Sequence, residues 1–93
     1  MNQTVEREFA IRNELGLHAR PAGQFVSLAS RFESEIAVGR GDEWVDGRSV
    51  LSLLSLAAVS GSALRIRATG PDAAEAVAAL GKLLEDGEPD AVR

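Results

Sequence analysis

The stretch ALRIRATGPDAAEAV, residues 63–77, contains a strand, a stop and the start of a helix. Apolar and polar side chains alternate in its first half, and the apolar ones share one face of a half-buried strand: Leu64, Ile66 and Ala68. Gly-Pro-Asp at 70–72 ends that strand. Asp72 stands at a helix N-cap position, with Glu75 three residues later as in a capping box. Strand and helix are therefore expected to alternate along this chain.

The same two periodicities divide the rest of the chain. Period-2 alternation and short turn-bounded apolar runs predict strands at 5–12, 35–38, 43–46 and 63–69. Helical spacing predicts helices that begin at 19, 50 and 73, the second with the hydroxyl of Ser49 as its N-cap. The order β-α-β-β-α-β-α predicts an α+β fold, in which helices cover one face of a four-stranded sheet and water wets the other.

Three individual residues lead to predictions about their local structure. Pro21 suits the first turn of the first helix, where its missing N–H costs nothing. Gly23 lies inside that helix, where glycine is unfavourable, so we expect it to mark a close packing contact. Trp44 is the only tryptophan, and we expect it to pack on the hairpin that the turn-rich residues 39–42 form.

Composition excludes several classes of function. The 93 residues fit one small domain, and 45% hydrophobic residues are enough for a folded core. A net charge of −4 argues against nucleic-acid binding. Because the chain has no cysteine and one histidine, it has no disulfide or thiolate chemistry, and we expect no metal site and no cofactor. No apolar run is long enough to span a membrane and the N-terminus is polar, so a cytoplasmic location is expected.

The single histidine stands in the stretch GLHARPA, residues 16–22, where a loop becomes a helix. A helix N-terminus presents unpaired N–H groups and partial positive charge, which bind anions. Arg20 adds a guanidinium that suits phosphate, and Gly16 permits an unusual backbone before His18. An imidazole that is largely neutral near pH 7 has a lone pair for attack on phosphorus. By spacing alone, a histidine without any chemical role is favoured, because single histidines usually carry no chemistry.

GLHARPA in this strand–loop–helix context resembles the active-site signature of HPr, the histidine phosphocarrier family of the bacterial phosphoenolpyruvate-dependent sugar phosphotransferase system. A second signature, DGRSVL at 46–51, agrees with it. The resemblance spans about residues 5–84 of a single domain at 1–93, followed by an acidic tail at 85–93. It implies an open-faced β-sandwich, a four-stranded antiparallel sheet with three helices on one face.

The resemblance also implies a role for each residue of the motif. His18 would accept a phosphoryl group from enzyme I and pass it to an enzyme IIA domain. Arg20 would bind the phosphoryl oxygens together with backbone amides after His18, beginning at Ala19, and Pro21 would shape the start of the helix. The protein would then be a phosphoryl-transfer intermediate and not a stand-alone enzyme, and we expect a monomer with transient interfaces.

Ser49 has a second role in this family, as a regulatory phosphoserine made by an HPr kinase/phosphorylase in some bacteria. Arg48 stands before it where lysine is common, and leucine replaces methionine at 51 and 54, which bears on recognition by such a kinase. Partners of HPr-like proteins meet the surface of the first two helices. Docking candidates there are Phe25, Leu51 and Leu54.

Two alternatives stay open at this stage. Part of the sequence resembles the nitrogen-related branch of the family, so the role could be regulatory instead of sugar uptake. The other alternative belongs to a different class: a small regulatory domain whose helix N-terminus binds a phosphate-bearing effector while His18 is never phosphorylated.

Overall fold

The computed structural model describes residues 3–10, 19–56 and 63–86. Seven elements follow one another: β1 (Gln3–Ala10), α1 (Ala19–Ala29), β2 (Glu35–Arg40), β3 (Glu43–Asp46), α2 (Val50–Leu56), β4 (Ala63–Gly70) and α3 (Ala73–Asp86). The predicted order of strands and helices is confirmed.

The four strands form one sheet in the order β1-β4-β2-β3, and every neighbouring pair is antiparallel. Helix α3 packs on β1 and β4, α2 packs on β2 and β3, and α1 contacts both other helices. The α+β class and the open-faced β-sandwich are confirmed. Within the described ranges, no helix has the length and apolar content that crossing a bilayer requires.

The core lies between the sheet and the helices. The three inward residues predicted for β4 are fully buried, as is most of the apolar stripe of α3. The largest fully buried apolar side chains are Phe25, Leu53, Leu64, Ile66 and Leu80. Burying a side chain of this size contributes about 1.5–3 kcal/mol, so this layer supplies most of the stabilisation.

Three strand boundaries, the start of β1 and the ends of β2 and β4, differ from the sequence prediction because pairing sets them. Strand β1 begins earlier, at Gln3, where it pairs with Gly70, and the hydroxyls of Thr4 and Thr69 lie 3.2 Å apart. The predicted end of this strand at 11–12 lies outside the described residues. Strand β2 continues to Arg40 because its hairpin has only a two-residue turn, which begins at Gly41 with φ of 62°. A turn of that kind favours glycine.

The indole of Trp44 packs on the hairpin, as predicted. It lies across Gly39 on the open face of the sheet, so close that a Cβ there would come within 2.8 Å of the ring. The guanidinium carbons of Arg65 and Arg67 lie 4.7 and 4.0 Å from the ring centroid. Trp44 therefore makes cation–π contacts with two arginines of β4, the strand that pairs with its hairpin.

Asp72 occupies the predicted N-cap position, since α3 begins at the next residue and Ala76 N–H donates to the Asp72 carbonyl. The capping box is wrong, however. The carboxylate accepts hydrogen bonds from the Glu33 and Ser34 amides, both 2.9 Å, and from the Ser34 hydroxyl at 2.6 Å. Ser34 is fully buried, and a buried hydroxyl requires such a partner. These bonds, that of the Ser34 hydroxyl first, lower the pKa of Asp72.

A smaller expectation, a close contact at Gly23, is not met among the described residues. Apart from the chain neighbours of Gly23 and the backbone of its own helix, no described atom lies within 4 Å of where its Cβ would be. Helix α3 runs through Asp86, and residues 87–93 lie outside the described part, so the acidic tail expected at 85–93 stays a prediction.

Candidate functional site

Helix α1 begins at Ala19, directly after the motif histidine. His18 and Gly16 lie outside the described residues, and so does the side chain of Arg20, whose backbone is helical. Pro21 is the third residue of the helix and is buried, which confirms its first-turn position. The first turn contains no acidic residue. The positive end of this helix is therefore not neutralised by a carboxylate of its own.

Ser49 caps helix α2 in the predicted way. Its Oγ accepts the Ser52 amide at 3.1 Å, and its carbonyl accepts the Leu53 amide at 3.0 Å. The bond to Ser52 is the side-chain cap, and the bond to Leu53 is the first of the helical ladder. The hydroxyl of Ser49 is therefore already engaged as an acceptor, and its side chain is half-buried.

Hydrogen bonds from Arg48 to three residues hold the loop before Ser49 in place. The Arg48 amide donates to Asp46 Oδ1 at 2.9 Å. The Arg48 guanidinium donates to the carbonyls of Phe32 and Ser34 at 2.6 and 2.8 Å. The sequence suggested only a recognition role for this arginine. A distant carbonyl partner leaves no signal in the sequence, so this structural role could not be found there.

These contacts also set where Ser49 lies relative to helix α1. Phe32 follows the C-terminal end of α1, so the start of α2 lies near that end and away from Ala19. Helix α1 has 11 residues and is about 16 Å long at 1.5 Å per residue. The N-cap of α2 is thus tied to the segment that follows the C-terminal end of α1 and not to its start.

The three candidates for a docking surface differ in exposure. Leu51 is 79% exposed and is the one large apolar side chain of the described residues that is so exposed. Leu54 is half-buried one turn further along α2. Phe25 is 1% exposed, so its assignment to a docking surface is wrong. Ala22 and Ala29, three residues before and four after it, share its buried helix face.

Comparison with known proteins gives consistent matches. A family model described as the PTS HPr component phosphorylation site matches residues 5–86. The chain is 40% identical over 80 residues to a phosphocarrier protein HPr of Neisseria meningitidis, which covers 86% of this chain and 90% of that protein. It is 35% identical over 86 residues to a multiphosphoryl transfer protein of Haemophilus influenzae, covering 89% of this chain and 17% of that protein.

A solved structure also matches. The crystal structure of a phosphocarrier protein HPr from Bacillus anthracis superposes with a TM-score of 0.85 at 34% identity. The match covers 88% of this chain and 98% of that one. The element order and the open sheet described above are therefore those of a known phosphocarrier structure.

Proposed function

This chain belongs to the HPr family of phosphocarriers of the phosphotransferase system, and from that membership we propose that His18 is its phosphoryl acceptor. The observation that carries the proposal is the stretch GLHARPA directly before and within the first turn of α1. Its only imidazole precedes the first helical residue, where free amides and the helix dipole favour an anion.

The proposed reaction is a transfer between two imidazoles. The lone pair of a His18 ring nitrogen attacks phosphorus, a new N–P bond forms, and the N–P bond to the histidine of enzyme I breaks. In the second step, a histidine nitrogen of enzyme IIA attacks the same phosphorus, and the N–P bond to His18 breaks. Positioning and charge stabilisation supply most of what such a transfer needs. We assign charge stabilisation to the guanidinium of Arg20 and to the amides that begin at Ala19.

The same proposal covers where and how the protein works. We expect a cytoplasmic monomer, without cofactor, that serves sugar uptake by carrying the phosphoryl group from one protein to the next. Its donor and acceptor are other proteins, so it is not a stand-alone enzyme. The relative named multiphosphoryl transfer protein supports a chain of such transfers. The exposed Leu51 and the half-buried Leu54 are the proposed apolar contacts for these partners.

Ser49 is the proposed regulatory site, a substrate for an HPr kinase/phosphorylase. A phosphate there would add close to two negative charges next to Leu51. Because the Ser49 loop is bonded near the C-terminal end of α1, we expect salt to screen the direct electrostatic effect of a phosphate at Ser49 on His18. We therefore infer that phosphorylation of Ser49 would act by weakening partner docking on α2.

Labelling with enzyme I and phosphoenolpyruvate tests the proposal. The wild-type chain should take up one phosphoryl group that is labile in acid and stable in alkali, because the P–N bond hydrolyses in acid. His18→Ala should abolish labelling and leave the circular dichroism spectrum unchanged. Labelling of His18→Ala at the wild-type stoichiometry would refute the assignment.

Two arginine variants, one at each end of α1, test the role of Arg20 in the transfer. Arg20→Ala should slow transfer about tenfold or more if its guanidinium binds the phosphoryl oxygens. Arg31→Ala removes the same charge from an exposed position just after the far end of α1 and should leave the rate within about twofold. Equal rates for the two variants would remove the assigned role of Arg20. The enzyme IIA that accepts the group fastest then separates sugar uptake from the nitrogen-type alternative.

A further inference from the structure

A groove lies on the open face of the sheet, on the side that the helices do not cover. It forms where β3 ends and the chain turns towards α2, and it is lined by Glu35, Ala37, Trp44, Asp46, Arg48 and Arg67. The small side chain of Ala37 leaves room above β2 between the arginines and the indole. Because α1 packs on the other side of the sheet, the proposed phosphoryl site does not use these residues.

Arg67 is held in this groove by an aromatic ring. Its guanidinium carbon lies 4.0 Å from the centroid of the Trp44 ring, which is a cation–π contact. The nearest charge partner of Arg67 among the described residues is Glu6, at 3.9 Å, which is too long for a hydrogen bond. That pair is about 40% exposed and therefore weak.

The other arginines around the groove already donate to carbonyls. Arg65 stacks on the same indole, but its Nη2 donates to the Gly41 carbonyl. Arg48 donates to the carbonyls of Phe32 and Ser34. Arg67 is thus a guanidinium in cation–π contact, without a hydrogen bond to any described residue, that borders a groove.

We propose that this groove binds a carboxylate-bearing small molecule, with the carboxylate held bidentately by the N–H edge of Arg67. A planar carboxylate fits the two parallel N–H groups of a guanidinium. Glu35 and Asp46 line the same groove and oppose a second negative charge on the ligand. The lining therefore selects a single carboxylate over a phosphate dianion.

Titration of the full-length unphosphorylated chain with acetate and with inorganic phosphate, at matched ionic strength and pH 7.5, tests this. The Arg67 Nε–H resonance and the emission of Trp44, the only tryptophan, report on the groove directly. Acetate should shift both signals saturably, and phosphate should bind more weakly. Arg67→Gln should weaken acetate binding about tenfold or more, and Arg67→Lys should weaken it less, because charge stays while the bidentate edge is lost.

Two further variants separate a specific site from general charge effects. Arg7→Gln is the matched control, since Arg7 also stacks on a ring, that of Phe9, but belongs to the opposite face of the sheet. It should leave acetate binding within about twofold. Glu6→Gln should tighten binding because it removes the competing carboxylate. The proposal is overturned if acetate causes no saturable shift, if Arg67→Gln binds like wild type, or if phosphate binds as tightly as acetate.

Discussion

Replacement of Ser49 by alanine removes the side-chain cap of α2 and tests how much that short helix depends on it. The hydroxyl accepts one amide hydrogen bond, from Ser52 at 3.1 Å, and the side chain is half-buried. Helix α2 has only 7 residues, so little of its own ladder can compensate. Loss of such a cap costs about 1 kcal/mol, within a range of about 0.5–2. In a domain of this size that corresponds to a drop in Tm of about 4–8 °C.

Urea unfolding followed by circular dichroism measures the effect. Ser55→Ala is the matched control, because Ser55 is exposed on the same helix, and the free energy of unfolding should change by less than about 0.5 kcal/mol. Ser49→Asp keeps an acceptor oxygen at the cap and should retain most of the wild-type stability. Amide exchange adds a local readout, since the Ser52 N–H should exchange faster in Ser49→Ala.

The capping role of the Ser49 hydroxyl is refuted if Ser49→Ala is as stable as Ser55→Ala, or if Ser49→Asp is destabilised as much as Ser49→Ala. The first result would mean that water replaces the hydroxyl without cost. The second would mean that the side chain contributes through packing and not through its acceptor oxygen. If Ser49→Asp is stable but receives the phosphoryl group from enzyme I more slowly, the proposed action on docking gains support.

Three other substitutions test separate features. Gly23→Ala should raise the free energy of unfolding by about 0.5–1 kcal/mol, because space is open there and alanine favours helix; a loss of stability in urea would contradict the open geometry. Asp72→Asn should remove the part of the stability that wild type has above about pH 4 and loses as pH falls through the lowered pKa; parallel curves of stability against pH for both proteins would refute this. Leu51→Ser should leave Tm nearly unchanged, since the side chain is 79% exposed, and should raise the KM of enzyme I for this chain; an unchanged KM would exclude Leu51 from docking.

Most of the fold could be predicted from local sequence patterns. The inward face of β4, the stripe of α3 and the cap at Ser49 each depend on residues within a few positions of one another. Such short-range patterns are legible in a sequence because strand and helix have fixed periods. The expectation for Phe25 was wrong because only tertiary packing decides which face of α1 is buried, and Phe25 lies on that face with Ala22 and Ala29.

The motif of the candidate site was also legible, since GLHARPA is contiguous, and the structure adds that α1 begins where the motif predicts. The groove at Arg67 could not be predicted from the sequence. It requires Trp44 of β3 to reach over β2 to an arginine of β4, more than 20 positions away. Nothing in the spacing of these residues indicates that they share a ring contact.

The sequence by itself determined the order of the elements and the buried face of most of them, and it named the proposed phosphoryl acceptor, because these depend on periodicity and on a contiguous motif. Only the tertiary structure decided the strand order β1-β4-β2-β3 and the partners of the charged side chains. Asp72 illustrates the reason, since its carboxylate could have capped its own helix but instead satisfies Ser34, 38 positions away. A buried hydroxyl needs a partner, and which group reaches it depends on how distant segments pack.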